Sequence, residues 1–251
     1  MRSPEKESEL TQLDGVLVVK LDVNDPATID QAIAEGIARF GHIDGLVNNA
    51  GRGGRALLEQ ITDEKILEMF QTNVFGVMRV TRAVLPHMRQ RGSGFIINVS
   101  SVAGMLGLPV ETTYCSSKYA LEGFTEALAW ECKPLGISVK SVAPGVYRTT
   151  SFLANIDDAA LASGAPELVA HAQKLRNHFS QATDRVRGEQ APADAQEVAD
   201  QIFRCATSDT PVHNPVGRDA QMLLSMIGSP PRQAFLDKVE PLLLPPDVPS
   251  H

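Results

Sequence analysis

The chain has 251 residues and a formal net charge of −7, and 43% of its residues are hydrophobic. This length suits one large α/β domain or two small ones, and the composition is too apolar for a disordered chain. Net acidity without a Lys/Arg-rich run excludes nucleic acid and an anionic membrane as expected main partners. No stretch approaches the roughly 20 apolar residues that a membrane span needs.

The cysteines and the first residues favour a reducing compartment. Cys115, Cys132 and Cys205 lie far apart and form no CxxC pair, so neither a disulfide framework nor a zinc site is predicted. The histidines likewise show no metal-ligand spacing. Residues 1–9 carry five charges and lack the apolar core of a signal peptide. We therefore expect a cytoplasmic protein.

Short apolar runs alternate with longer helical patterns along the chain. The runs predict strands over Val16–Asp22, Ile43–Asn48, Phe95–Val99 and Ile137–Val142. Helical spacing predicts helices over residues 26–40, Thr62–Arg91 and Thr113–Leu135. This alternation is typical of βαβ units and predicts an α/β fold with a Rossmann-like, doubly wound parallel sheet.

Residues 146–193 form a long segment without a strand-like run. Its helical part carries Leu168, Ala172, Leu175 and Phe179 on one face. An insertion at the carboxyl edge of a parallel sheet is a usual place for a substrate lid. The proline-rich tail, residues 241–251, is predicted to be irregular. With no internal repeat, residues 1–251 are predicted to form one domain.

Tyr114 and Lys118 are four residues apart, so both side chains leave the same face of the predicted helix. A phenol has a pKa near 10, which is too high for acid–base work at neutral pH, and a nearby ammonium favours the phenolate. Ser101 ends a buried strand 13 residues before Tyr114, where its hydroxyl can donate to a carbonyl oxygen. Alone, the Tyr–Lys spacing is more typical of a solvated helix face than of a catalytic pair.

Five motifs occur in order: NNAG at 48–51, TNVFG at 72–76, INVSS at 97–101, YCSSK at 114–118 and APG at 143–145. Together they resemble the short-chain dehydrogenase/reductase family, in its single-domain subfamily with hydroxysteroid and retinol dehydrogenase-like members. The resemblance extends from residue 1 to about residue 150 and, loosely, over 194–226. It implies reversible hydride transfer between NADP or NAD and an alcohol or carbonyl carbon.

The resemblance also implies roles for four catalytic residues. Tyr114 is the expected general acid/base, and Lys118 is expected to lower its pKa and to hold the nicotinamide ribose. Ser101 is expected to orient the substrate carbonyl. Asn73 is expected to position a water molecule in a proton relay, since Asn is a poor residue for a helix interior.

The cofactor residues implied by the resemblance are spread over several motifs. Besides Tyr114 and Lys118, they are Asp22 and Val23 against the adenine, Asn49, Ala50 and Gly51 along the cofactor, and Pro144, Gly145, Val146 and Thr149 over the nicotinamide carboxamide. A plain helix-entry turn is the alternative for Asp22. Arg2 matches the position just after the family's second strand, where a basic residue favours NADP slightly over NAD. The alternative is that Arg2 is only a solvated charge at the start of the chain.

The family's opening strand, its Thr-Gly-x-x-x-Gly-x-Gly loop and its second strand have no counterpart in this sequence. The glycine clusters at 51–54 and 92–94 have the wrong spacing and position. The resemblance therefore predicts an N-terminally truncated sheet, short of roughly 35–40 residues. Such a sheet would bind cofactor poorly, be weakly stable and leave strand 43–48 as a hydrophobic edge.

Three functions remain open from the sequence. The first is an NAD(P)-dependent oxidoreductase acting on a small alcohol, ketone or aldehyde; the second is a non-catalytic protein that kept the fold; the third, disfavoured by NNAG and the short C-terminal region, is an epimerase or dehydratase. Lid side chains such as Phe152, Leu153 and Phe179 suit an apolar substrate, although they suit packing of the lid on the body better. By resemblance, helices 62–91 and 113–135 form the interface of a homodimer or homotetramer.

Overall fold

The structure is a computed structural model that describes residues 1–147, 150, 152, 156–187 and 194–226. Its sheet has four parallel strands in the order β1–β2–β3–β4, namely Gly45–Asn48, Gly94–Val99, Ile137–Pro144 and His213–Val216. The α-helices are α1 Pro26–Phe40, α2 Asp63–Phe70, α3 Val77–Arg91, α4 Thr112–Cys132, α5 Pro166–Arg187, α6 Gln196–Thr207 and α7 Arg218–Ser225. The predicted α/β, Rossmann-like fold is confirmed.

The central strand β2 is covered on both faces, as expected for a parallel sheet. Ile96 packs with residues of α3 and α4, whereas its neighbour Ile97 packs with Cys205 of α6 and Val216 of β4. Both isoleucines are fully buried. Successive side chains of a strand point to opposite faces, so these two contacts place helices on either side of the sheet.

The predicted strand over Val16–Asp22 is wrong, because this segment is irregular. Its backbone bonds to Met1, whose amino group donates to the Val19 carbonyl at 2.8 Å and whose carbonyl accepts from Leu21 N at 2.9 Å. A strand requires a neighbouring strand to satisfy its backbone groups, and none lies beside it in the described part of the chain. β1 is an edge strand there, with Val47 40% exposed, as expected for strand 43–48.

The predicted helix 62–91 is divided in two by a π-helical segment, Gln71–Gly76. Thr62 caps α2 by accepting from Lys65 N, and Gly92 ends α3 with φ +68°, as the sequence indicated. Wide π turns recur at functional sites, and this one contains Asn73. Its Gly76 is packed so closely on Val23 that an added Cβ would lie 2.7 Å from Val23 Cγ2.

Residues 156–187 form most of the predicted lid. A short 3-10 turn, Ala159–Ala162, is followed by α5, whose predicted inner face includes the buried Ala172 and Leu175. The predictions for Thr149, Leu153 and the tail 241–251 lie outside the described residues. Within the described ranges, no helix combines the length and apolarity that crossing a bilayer requires.

Candidate active site

The structure brings Ser101, Tyr114 and Lys118 together beyond the carboxyl end of β2. Ser101 follows that strand, and the other two residues lie on the first turns of α4, where both are buried. Ser101 is the side chain that favours ionisation of the Tyr114 phenol, and its Oγ accepts from Ala103 N at 3.2 Å. Lys118 Nζ donates to the Val99 carbonyl at 2.9 Å and lies 5.8 Å from the centroid of the Tyr114 ring.

Asn73 is buried and hydrogen-bonds both to the segment after β1 and to helix α4. Its amide oxygen accepts from Arg52 N at 2.9 Å, and its Nδ2 donates to the Arg52 carbonyl at 2.9 Å and to Ser117 Oγ at 3.0 Å. Ser117 Oγ in turn donates to the Tyr114 carbonyl at 2.8 Å. Sequence reasoning missed Ser117, although its place between Tyr114 and Lys118 in YCSSK was a usable signal.

The electrostatics of the cluster differ from expectation. Burial raises the pKa of Tyr114 well above its usual value, and the hydrogen bond from Ser101 opposes that shift only in part. Burial also lowers the pKa of Lys118 to about 8, against a smaller opposing effect of Glu122. The net shift of the Tyr114 pKa is therefore upward, because the loss of phenolate hydration dominates, and the expected lowering by Lys118 stays a prediction.

The exposed residues that follow β1 border the cluster. Asn49, Ala50 and Gly51 are exposed, and a Cβ on Gly51 would lie 3.5 Å from Asn73 Oδ1 and 3.8 Å from Lys118 Nζ. An ammonium has three N–H donors, and Lys118 directs one of them to Val99. The exposed strand end and the remaining donors fit the hydroxyls of a nicotinamide ribose.

The turn Pro144–Val146 is held by a residue that the sequence analysis missed. The buried Asp219, in the first turn of α7, accepts from Val146 N at 2.8 Å. A side chain at Gly145 would collide with the Asp219 carboxylate, so glycine is required there. Thr149, the remaining residue of the predicted turn, is outside the described residues.

Asp22 and Val23 lie beside the π-helical segment, and Arg2 is an exposed residue next to Met1. Asp22 Oδ1 accepts from Asn24 N at 2.9 Å, which makes it part of the turn that enters α1. The N-cap itself is Asp25, which accepts from Ala27 N. Asp22 thus lies in the helix-entry turn, as its alternative interpretation predicts.

The glycines after β1 serve packing in this structure. A Cβ on Gly53 would lie 2.9 Å from Ile156 Cγ1 and 3.1 Å from Phe152 Cζ. Gly94, in the second cluster, is packed as closely against Met88. Both glycines therefore permit close contact between side chains and backbone.

Apolar side chains pack around Tyr114. The Phe152 ring centroid lies 6.0 Å from that of Tyr114. Tyr114 belongs to a buried cluster with residues such as Met69, Leu106 and Leu223, against which Phe152 and Phe179 pack. Leu175 packs instead on Val110, next to α4. Of the lid residues named from the sequence, Phe152 and Phe179 thus pack around Tyr114, whereas Leu175 packs on the body.

The chain is similar to known oxidoreductases over most of its length. The short chain dehydrogenase profile matches residues 3–160. An oxidoreductase of Schizosaccharomyces pombe is 36% identical over 210 residues, 84% of this chain and 85% of that protein. A short-chain dehydrogenase from Streptomyces avermitilis has a TM-score of 0.73 at 34% identity, with 92% of this chain and 80% of that chain covered.

A third comparison concerns a protein with its cofactor bound. A gluconate 5-dehydrogenase from Burkholderia cenocepacia, in complex with NADP and tartrate, has a TM-score of 0.63 at 27% identity. The match covers 81% of this chain and 74% of that chain. With the profile match over more than half of its length, the chain belongs to the short-chain dehydrogenase family.

Proposed function

We propose that this protein is an NADP(H)-dependent oxidoreductase that interconverts an apolar ketone or aldehyde and the corresponding alcohol. The observation that carries the proposal is the buried constellation of Ser101, Tyr114 and Lys118, with Asn73 linked to the same helix through Ser117. Four polar side chains brought from three segments to one strand end form an acid–base site rather than a solvated helix face.

A bound nicotinamide cofactor would supply the hydride to the carbonyl carbon, or accept it in the reverse direction. Ser101 donates a hydrogen bond to the carbonyl oxygen and fixes its position beside Tyr114. In the reductive direction Tyr114 gives its proton to that oxygen, and its raised pKa keeps the phenol protonated until negative charge develops there. Lys118, charged below pH about 8, stabilises the phenolate that the transfer leaves and holds the ribose hydroxyls.

The cofactor assignment is part of the proposal. NADP is favoured by the complex of the Burkholderia relative and by the exposed Arg2 beside the end of segment 16–22. Fluorescence titration with NADPH and NADH tests it, and tighter binding of NADH would reject the preference for NADP.

The apolar substrate class rests on the surroundings of Tyr114. Phe152 and Phe179 of the lid pack on the cluster that contains this tyrosine. Burial of apolar surface gains roughly 25 cal/mol per Å², so long alkyl or ring substituents on the carbonyl should be preferred.

All three cysteines are buried free thiols, which supports placing the reaction in the reducing cytoplasm.

Replacement of one tyrosine tests the mechanism directly. Tyr114→Phe removes the proton donor, and we expect the reduction rate to fall by about 10²–10⁴-fold. The measurement is oxidation of NADPH with a series of methyl ketones of increasing alkyl length. Tyr119→Phe is the matched control, because this tyrosine lies on the same helix and is 39% exposed. Equal turnover by the Tyr114 variant and the wild type would reject the mechanism.

A non-catalytic protein with the same fold is the second candidate. It is favoured by the burial of the Tyr114 hydroxyl region and the raised pKa that follows from it. In that case the protein would reduce none of the ketones in the series, whether or not it binds NADPH. Turnover by the wild type that Tyr114→Phe abolishes would exclude this candidate.

Self-association through helices α3 and α4 also belongs to the proposal. Between them lies an open cavity of about 400 Å³, lined by apolar residues such as Phe75, Met78 and Phe124. Arg79 lines it too, and its Nη1 is buried with no acceptor among the described residues. A second copy of the chain would cover this apolar surface, giving a homodimer or a homotetramer.

A further inference from the structure

Arg55 occupies a junction between the lid and the helix that carries Tyr114. Its Nε donates to Glu111 Oε1 at 3.0 Å, and its Nη1 lies 3.6 Å from Asp158 Oδ2. Glu111 immediately precedes α4, and its carbonyl accepts from Cys115 N at 2.8 Å. Asp158 belongs to the lid, where Arg176 of α5 also contacts it at 3.1 Å.

The backbone repeats the same connection. Arg55 N donates to the Asp157 carbonyl at 3.0 Å, and Ala56 N donates to the Val110 carbonyl at 2.9 Å. Two isolated parallel bridges, Gly54 with Asp157 and Ala56 with Glu111, flank the arginine. Segment 54–56 is thereby attached on one side to the lid and on the other to the turn that leads into α4.

That turn is strained. Val110 has φ +56°, a conformation that a β-branched residue adopts only where its surroundings impose it. Its side chain is buried against Leu161, Ala172 and Leu175 of the lid. The lid therefore covers the strained residue. Ala56 N bonds to its carbonyl, and Arg55 bonds to the carboxylate of the next residue, Glu111.

We propose that Arg55 is a positioning residue that couples the seating of the lid to the placement of Tyr114. The inference rests on the proposed function. A seated lid keeps the Val110–Glu111 turn in its strained conformation and thereby fixes the first turn of α4, where Tyr114 lies three residues after Glu111. Phe152, which contacts both Gly53 and Tyr114, closes the same connection from the substrate side.

Hydrogen–deuterium exchange of the full chain tests the coupling without reference to activity. Arg55→Gln is expected to speed exchange both in the lid, residues 156–187, and in residues 110–118. Arg91→Gln is the matched control, because this arginine pairs with Asp44 at the opposite end of the strands. It is expected to leave both regions unchanged. Faster exchange in the lid alone would overturn the proposal.

Two single-arm variants keep the test decisive if Arg55→Gln does not fold. Asp158→Asn takes away the charge that Arg55 and Arg176 contact in the lid, and Glu111→Gln takes away the charge that Arg55 contacts next to α4. Coupling predicts that each variant speeds exchange in the other region as well as in its own. Effects confined to the altered region in both variants would show two independent ion pairs and overturn the inference.

The kinetic arm separates this inference from the proposed function. In an active enzyme, Arg55→Gln should lower kcat about 10–100-fold through misplacement of Tyr114, while the affinity for NADPH stays within the error of the titration. A rise in KM with unchanged kcat would overturn the positioning role. If the wild type turns over no carbonyl, the proposed function fails and the exchange result still decides the coupling.

Discussion

Lys118 carries a large share of the chemistry proposed for single residues. It is fully inside the protein, yet it must be charged to stabilise a phenolate next to it. Burial disfavours that charge and lowers its pKa to about 8, while Glu122, one turn further along α4, offsets part of the penalty. The same residue thus sets an upper pH limit for the site that a solvated lysine would not set.

This limit is testable. We expect carbonyl reduction by NADPH to fall as the pH rises through about 8, because Lys118 loses its proton there and ceases to stabilise the phenolate. The measurement is kcat from about pH 6.5 to about pH 10. In Lys118→Arg the guanidinium stays charged throughout, so the decline should move to higher pH. A wild-type profile that is flat across pH 8 would contradict the prediction.

Among the elements, the contact between the loop after β2 and α4 determines how closely Ser101 approaches Tyr114. The loop begins with the 3-10 turn Val102–Gly104. A Cβ on Gly104 would lie 2.8 Å from the Lys118 carbonyl oxygen and 3.0 Å from Glu122 Cγ. Backbone cannot move aside as a side-chain end can, so only glycine permits this approach.

We therefore expect Gly104→Ala to destabilise the fold by about 1–3 kcal/mol through overpacking. The shifted helix turn should also weaken catalysis. Gly107→Ala is the matched control, because a Cβ there meets nothing within 4 Å, and its effect should stay within about 0.5 kcal/mol. Urea unfolding of the two variants gives both free energies of unfolding. Equal free energies of unfolding for Gly104→Ala and Gly107→Ala would show that the loop can move away from α4 without loss of stability.

The elements also show where sequence patterns succeed. Buried apolar runs predicted β1, β2 and β3 to within a few residues, and caps such as Thr62 and Gly92 predicted the ends of the longest helical pattern. The π-helical segment within that pattern left no mark on the hydrophobic periodicity. Segment 16–22 has the composition of a strand, but whether it becomes one depends on a neighbour that its own residues do not supply.

At the scale of the whole molecule, two of the exposed apolar surfaces among the described residues bear on assembly. One is the edge strand β1, where Val47 is 40% exposed. The other is the face of α3 and α4, with its cavity of about 400 Å³. The second is the one that a further copy of the chain would cover, because the exposed Phe75 and Met78 both line its cavity.

Met78→Glu should therefore reduce self-association, because it places a charge in the apolar surface that the second copy would bury. Size-exclusion chromatography with light scattering, at matched concentrations, gives the masses. Leu58→Glu is the control, since this leucine is 60% exposed and does not line the cavity. A wild type that is monomeric, or a Met78→Glu variant with the wild-type mass, would contradict the proposed interface.

The sequence by itself determined the layers of the fold and the residues that meet at the strand end. Buried runs and helical spacing are local properties, and Tyr114 and Lys118 share a face wherever their helix lies. Only the tertiary structure decided that burial raises the pKa of Tyr114, that Asp219 holds the turn at Gly145, and that Arg55 joins the lid to α4. These properties depend on contacts between segments distant in sequence, whose hydration and distances no local pattern encodes.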